Sequence, residues 1–316
     1  MKTKKKAAKI VDTLGLLGVS AVFLLPFVWM LLTSVKTEVE AIRMPIQWLA
    51  KKVQWVNFAT AWKSGPFPLY IRNSFLYAGG VIIVQMITTL PAAYGYAKFN
   101  FRGKNLFFYL TMSTMMIPSQ LIFVPMYQMM SAWGMIDTMW SLILPFSGSA
   151  FNIFMMRQAY MNVPDELIEA AQIDGMRDLG IVLKIATPMC RANLSTFVLF
   201  SVISHWNDYF WPLIMTTKDN VRTLPIAIAR LNDMEGGTNW PVLMAGNVIL
   251  VAPLLVGFFL FCRHRKTSPA MVFHARFSLT VYTTNRAASL NILRICRRGA
   301  RRPARTFCIF AMVMLK

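Results

Sequence analysis

Apolar residues run through this chain in long blocks separated by short polar islands. No Asp, Glu, Lys or Arg occurs in Leu14–Val35, Asn73–Ala97, Asn105–Ile136, Thr138–Met156 or Gly236–Cys262. A sixth such block runs from Ala192 to Asn207 and continues past Asp208. About 20 apolar residues cross the hydrocarbon core of a bilayer. The pattern therefore predicts an all-α integral membrane protein with about six transmembrane helices, near residues 14–35, 73–97, 105–130, 138–156, 190–213 and 241–262. The third block, at 32 residues, is too long for one span. Pro118 and Pro125 predict a kink in it, and the Trp133-Gly134 pair predicts an end near Met130.

The polar island from Val163 to Pro188, VPDELIEAAQIDGMRDLGIVLKIATP, interrupts the apolar pattern most sharply. Pro164 suits a first helical turn, and Asp165 and Glu166 complement the positive end of a helix dipole. Leu167, Ile168, Ala171 and Ile173 give that helix an apolar stripe. Asp174-Gly175 reads as a helix stop, because glycine takes the left-handed conformation a C-terminus needs. A second helix is expected from about Arg177 to Ile185, with Pro188 marking its end.

Glu169-Ala170-Ala171, three residues, Gly175, nine residues, Ile185, two positions and Pro188 together resemble the EAA loop of permeases of ATP-binding-cassette importers. One position departs: Thr187 stands where the pattern has leucine before the proline. The resemblance covers about residues 10 to 262 and is to the carbohydrate-uptake, maltose-permease-like class. It implies a cytoplasmic coupling loop, with Glu169, Ala170, Ala171, Asp174, Gly175, Ile185 and Pro188 carrying the contact to an ATPase. It further implies a second permease subunit, an ATPase dimer and an extracytoplasmic solute-binding protein as partners. ATP and Mg would be used by the ATPase, and no cofactor would be held by this chain.

Charge sets the expected orientation. Lys2, Lys4, Lys5, Lys6 and Lys9 precede the first block, Lys98, Arg102 and Lys104 follow the second, and Arg157, Arg177, Lys184 and Arg191 surround the EAA-like segment. With six spans all three clusters fall on one side, the cytoplasmic one by the positive-inside rule. The amino terminus is then expected to be cytoplasmic, and the resemblance implies a multi-pass protein of the bacterial inner membrane. The stretch Lys36–Arg72 runs against the rule, with six basic residues, Glu38, Glu40 and the tryptophans 48, 55 and 62; it reads as an external subdomain or an interfacial helix. The first apolar run is too long for a cleaved signal peptide, and no small-x-small site follows it. At 56% hydrophobic and 15% charged residues, the composition excludes a soluble domain.

A second constellation, His205-Trp206-Asn207-Asp208-Tyr209-Phe210-Trp211-Pro212-Leu213, closes the fifth span. An ionisable residue in a span is a functional candidate, and aromatic rings beside polar groups suit sugars; the same residues also fit an interfacial aromatic belt. The run resembles the WN-(D/E)-(Y/F)-x-WPL pattern of carbohydrate-uptake permeases. It makes Trp206, Asn207, Asp208, Tyr209 and Trp211 substrate-pathway candidates for a sugar, a polyol or a glycerophosphate-type solute. In the family the following loop, Thr216–Pro241, faces the binding protein. Asn73-Ser74-Phe75 and the small-residue run Ala92–Ala97 read as packing elements.

No GxxxxGK(S/T) phosphate loop occurs, so nucleotide hydrolysis is assigned to another chain. Cys190, Cys262, Cys296 and Cys308 are far apart, and His205, His264 and His274 form no ligand cluster, so neither a metal nor a catalytic site is expected. A secondary transporter or channel working without an ATPase is the alternative reading. From Arg263 to Lys316 the chain has 12 Lys or Arg and no acid, within a net charge of +20. That atypical basic tail lacks a periodic core and is not read as a nucleic-acid binder. It is expected to reflect departure from the family's reading frame after Cys262, which the coding DNA would decide.

Overall fold

The computed structural model describes residues 2–232 and 238–265. It is helical throughout, with no strand among the described residues. The helices are α1 (Lys2–Ser34), α2 (Glu38–Ile42), α3 (Val56–Lys63), α4 (Phe67–Lys98), α5 (Lys104–Ser113), α6 (Ser119–Ala132), α7 (Met139–Ile143), α8 (Ala150–Met161), α9 (Asp165–Ile173), α10 (Asp178–Ile181), α11 (Thr187–Met189), α12 (Arg191–Trp206), α13 (Phe210–Met215), α14 (Leu224–Arg230) and α15 (Trp240–Arg265). The chain divides into two compact units, Met1–Ala252 and Pro253–Lys316. The described part of the second is the helical segment 253–265. The basic tail beyond it, and with it the expected frame departure, lies outside the described residues.

Among the described residues, three helical segments are long and apolar enough to cross a bilayer unbroken: Thr13–Ser34, Phe67–Lys98 and Trp240–Gly257. The other expected spans are broken. The third bends by 99° between Lys104–Met116 and Ser119–Ala132. Pro118, at the bend, has no N–H to continue the ladder and pushes Ile117 into an extended conformation. Pro125, by contrast, sits inside an unbroken α6. The fourth bends by 48° between Met139–Phe146 and Ala150–Met161. The fifth, expected over 190–213 as one helix, is 16 residues of α12 followed by the short α13. Asn207–Tyr209 separates them.

Helix α4 is the hub, packed against α7, α8, α12 and α14. At Gly80 the helices approach closely: an added Cβ would lie 2.5 Å from the tip of the Ile143 side chain of α7, which would have to shift. Hydrogen bonds reinforce this packing where lipid or apolar neighbours offer no alternative partner. The Gln85 amide donates to Phe146 O (2.9 Å) and accepts from the Ser201 hydroxyl (2.6 Å) and from Asn152 Nδ2 (3.3 Å). That buried network joins α4, the bend before α8, α8 itself and α12.

Candidate functional site

Helix α9 and the turn after it are fastened to the spans on one face and open on the other. Ile168 and Ala171 are buried in a cluster with Leu90, Ala93, Tyr94, Met156, Ala159 and Tyr160, which belong to α4 and α8. Burying a side chain the size of Ile168 contributes about 1.5–3 kcal/mol. The Lys98 ammonium adds a polar tether, donating to Val163 O and to Asp165 Oδ1, each at 2.6 Å. A displacement of α9 is thus mechanically joined to the end of α4.

The outward face carries Glu166, Leu167, Glu169, Ala170 and Gln172. Ile173, at its tip, is 86% exposed. Glu169 has no hydrogen bond or ion pair among the described residues, so its charge is directed at solvent. Gly175 follows with φ +79° and open space around it. What position 175 requires is the left-handed backbone and not room, as expected for a residue that ends a helix.

The second helical run of this segment differs from expectation. It continues past Ile185: α10 passes into a π-helical turn over Val182–Ala186 and then into α11, so Pro188 lies inside the run. Proline removes one backbone donor and crowds the carbonyl four residues back, and a widened turn relieves both. Ile185 is half-buried and Pro188 likewise. Thr187, the one departure from the EAA pattern, is buried, and its hydroxyl is 2.7 Å from the Tyr160 hydroxyl. A polar residue is accommodated there because the span opposite supplies its partner. Tyr160, from α8, is a supporting residue of this site that the loop's own pattern does not reveal.

The aromatic run after α12 is arranged in the opposite sense. Trp206 and Trp211 are each only 2% exposed. The Trp206 indole N–H donates to Leu250 O and that of Trp211 to Ser141 O, both at 3.0 Å. Trp211 stacks on Phe123, and Trp206 meets Phe75 edge-on. Asp208 accepts from the Tyr77 hydroxyl at 2.7 Å and from the Trp211 N–H at 3.3 Å. The carboxylate thereby starts α13 and ties it to α4. Asn207 and Tyr209 are left on the surface of the break, Asn207 donating to Ile203 O.

Two clamps hold the surroundings of this break. Asn73 donates to Asn220 O and Arg222 O, and the Ser74 hydroxyl accepts from Leu224 N–H, so the start of α4 grips the loop before α14. Asp137, with φ +60°, accepts from the hydroxyl and N–H of Thr217 and from the Lys218 N–H. Burial alone would raise the Asp137 carboxyl, but these hydrogen bonds hold it below the usual carboxylate range. Asp219 pairs with Arg222 (2.7 Å) and Arg230 (3.0 Å). Asp233, Glu235, Gly236 and Gly237 of the same loop lie outside the described residues. No group of three metal-ligating side chains occurs among the described residues.

A family model described as the binding-protein-dependent transport system inner membrane component matches residues 85–266. The chain is 27% identical, over 83% of its length and 95% of the relative's, to the arabinooligosaccharides transport system permease protein AraQ of Halalkalibacterium halodurans. It is 30% identical to the probable ABC transporter permease protein YurM of Bacillus subtilis, over 74% of this chain and 78% of that protein. It is also 30% identical to the sn-glycerol-3-phosphate transport system permease protein UgpE of Yersinia enterocolitica, over 68% and 79% respectively. Among solved structures, a chain of a bacterial ABC transporter involved in the import of the acidic polysaccharide alginate shares the fold. Its TM-score is 0.71 at 21% identity, covering 82% of this chain and 97% of that one.

Proposed function

We infer the function from family membership: the chain belongs to the inner membrane components of binding-protein-dependent transport systems. It is a transport subunit. We propose that it pairs with a second permease and two ATPase chains, and translocates a sugar, polyol or glycerophosphate-type solute delivered by an extracytoplasmic binding protein. Relatives named for arabinooligosaccharides and for sn-glycerol-3-phosphate bracket that substrate class.

In this reading the amino terminus and the 163–188 segment face the cytosol. The outward face of α9 docks on an ATPase, with Glu169 and Ala170 at the contact; Ala171, expected there from the EAA pattern, is buried against the spans. Asp174 and Gly175 shape the turn, and Ile185 and Pro188 seat the following run. ATP and Mg act on the ATPase. Closure of the ATPase dimer moves α9, and the packing of Ile168 and Ala171 passes that movement to α4 and α8, which rock to expose the pathway. At the outer break, Asn207 and Tyr209 are the residues offered to solute, Asp208 holds the break open, and Trp206 and Trp211 brace it.

The observation that carries the proposal is the two-faced α9: one side is locked to the spans, and the other is exposed with an unpartnered carboxylate. A deletion strain tests it. Uptake of one labelled sugar, polyol or glycerol phosphate should disappear and return with the intact gene, but not with Glu169→Arg. Uptake that survives depletion of ATP would overturn the importer reading.

A further inference from the structure

We propose that the segment Lys36–Ser64 is a built membrane-interface anchor that lies in the headgroup layer of an anionic bilayer, beside the end of α1. The segment begins where the apolar stretch Thr13–Ser34 stops, so the chain delivers it to a bilayer surface. It is folded down there by its own contacts. Asn57 Nδ2 donates to Ser34 O and Lys36 O, both at 2.9 Å, and Gln54 N–H donates to Val35 O. Lys36 itself is buried, donating to Gln47 O and lying 4.4 Å from the centre of the Trp29 ring, which meets Trp48 edge-on.

The side turned outward is apolar where a water-facing loop would be polar. Met44, Leu49 and Trp55 are 79%, 73% and 71% exposed. Helix α3 points Ala61 inward and leaves Val56 and Trp62 outside. Interspersed with these are Arg43, Lys51, Lys52 and Lys63, all exposed, and none forms an ion pair among the described residues. Glu38 and Glu40 are the segment's acidic residues, against Lys36, Arg43, Lys51, Lys52 and Lys63, so the segment stays net positive.

Exposed tryptophan and unpaired lysine together distinguish the occupant. Protein interfaces enrich tryptophan but deplete lysine at their centre. The bilayer interface accepts both, the rings among the headgroups and the ammonium groups at the phosphates. The inference rests on Thr13–Ser34 being a span and not on the importer reading, so a chain inactive in uptake still tests it.

The test uses the full chain, with Cys190, Cys262, Cys296 and Cys308 replaced by Ser, in vesicles of phosphatidylethanolamine and phosphatidylglycerol. Nitroxide labels are placed at Leu49→Cys or Trp55→Cys, both exposed positions. Collisions with oxygen should exceed those with a water-soluble nickel chelate, placing both labels about 5–10 Å below the phosphates. Adding Lys51→Glu and Lys52→Glu should move the labels toward water. Labels that meet nickel more than oxygen, labels shielded from both as under a protein partner, or a depth indifferent to the charge reversal would each overturn the proposal.

Discussion

The segment 163–188 and the run 205–213 are both polar or aromatic interruptions of apolar sequence, yet the structure uses them in opposite ways. In the first, Ile168 and Ala171 face the spans, whereas Leu167 and Ile173 of the expected apolar stripe face out with the carboxylate of Glu169. In the second, the tryptophans, Asp208 and His205 turn inward, where His205 Nδ1–H donates to Ser201 O at 2.8 Å. The first is a surface held rigidly, and the second is a brace. A residue type that could serve recognition therefore does so only where its polar atoms are not already consumed by the fold. Substitutions in the brace should cost stability, and those on the outward face of α9 should cost function alone.

The largest effect is expected in the brace. Trp211→Ala empties a buried ring site and strands Ser141 O, and should destabilise the chain by about 3–5 kcal/mol. It should be seen as a lower apparent melting temperature with loss of uptake as a consequence. A melting temperature equal to wild type would break the distinction between the two regions.

Next in size is the contact behind the coupling segment. Thr187→Val leaves the buried Tyr160 hydroxyl without its partner and should cost about 1–3 kcal/mol. Adding Tyr160→Phe should recover most of that loss, because both polar groups are then gone. A double variant no more stable than the single one would show that the pair is not what Thr187 contributes. Gly175→Val forces a branched residue into the left-handed region, at a cost of about 1–2 kcal/mol. Uptake should fall further than that loss of stability explains, since the turn sets the angle between α9 and α10.

The smallest effect concerns the Asp137 clamp. Its folded carboxyl lies below the usual carboxylate range, so the stabilisation is present above the ordinary aspartate value, about 3.9. It is lost as pH falls through the lowered folded value. Melting curves of wild type and Asp137→Asn taken down through that range should converge as pH drops. A constant gap would remove the clamp from the account.

The apolar blocks made the helices legible, because charge-free length is a property of the chain itself. Pro118 marked the bend, though nothing local could state its 99° angle, which tertiary packing sets. The break at Asn207–Tyr209 was hidden because the polar groups that stabilise it are matched by distant partners: Tyr77 for Asp208, Leu250 O for Trp206 and Ser141 O for Trp211. Pro188 marked the end of the second run to within one residue, since the run stops at Met189, but the π-helical turn before it has no local signature. Gly175 was readable from its place alone, because a positive φ after a short amphipathic helix is a local requirement.

Everything turns on whether the open face of α9 is a docking surface. Its most direct measurement pairs two readouts on Glu169→Arg in the assembled transporter: apparent melting temperature, and the amount of ATPase retained on purification. An unchanged melting temperature with the ATPase lost is the predicted result. Full retention of the ATPase, with uptake intact, would show that the ATPase does not dock on the open face of α9.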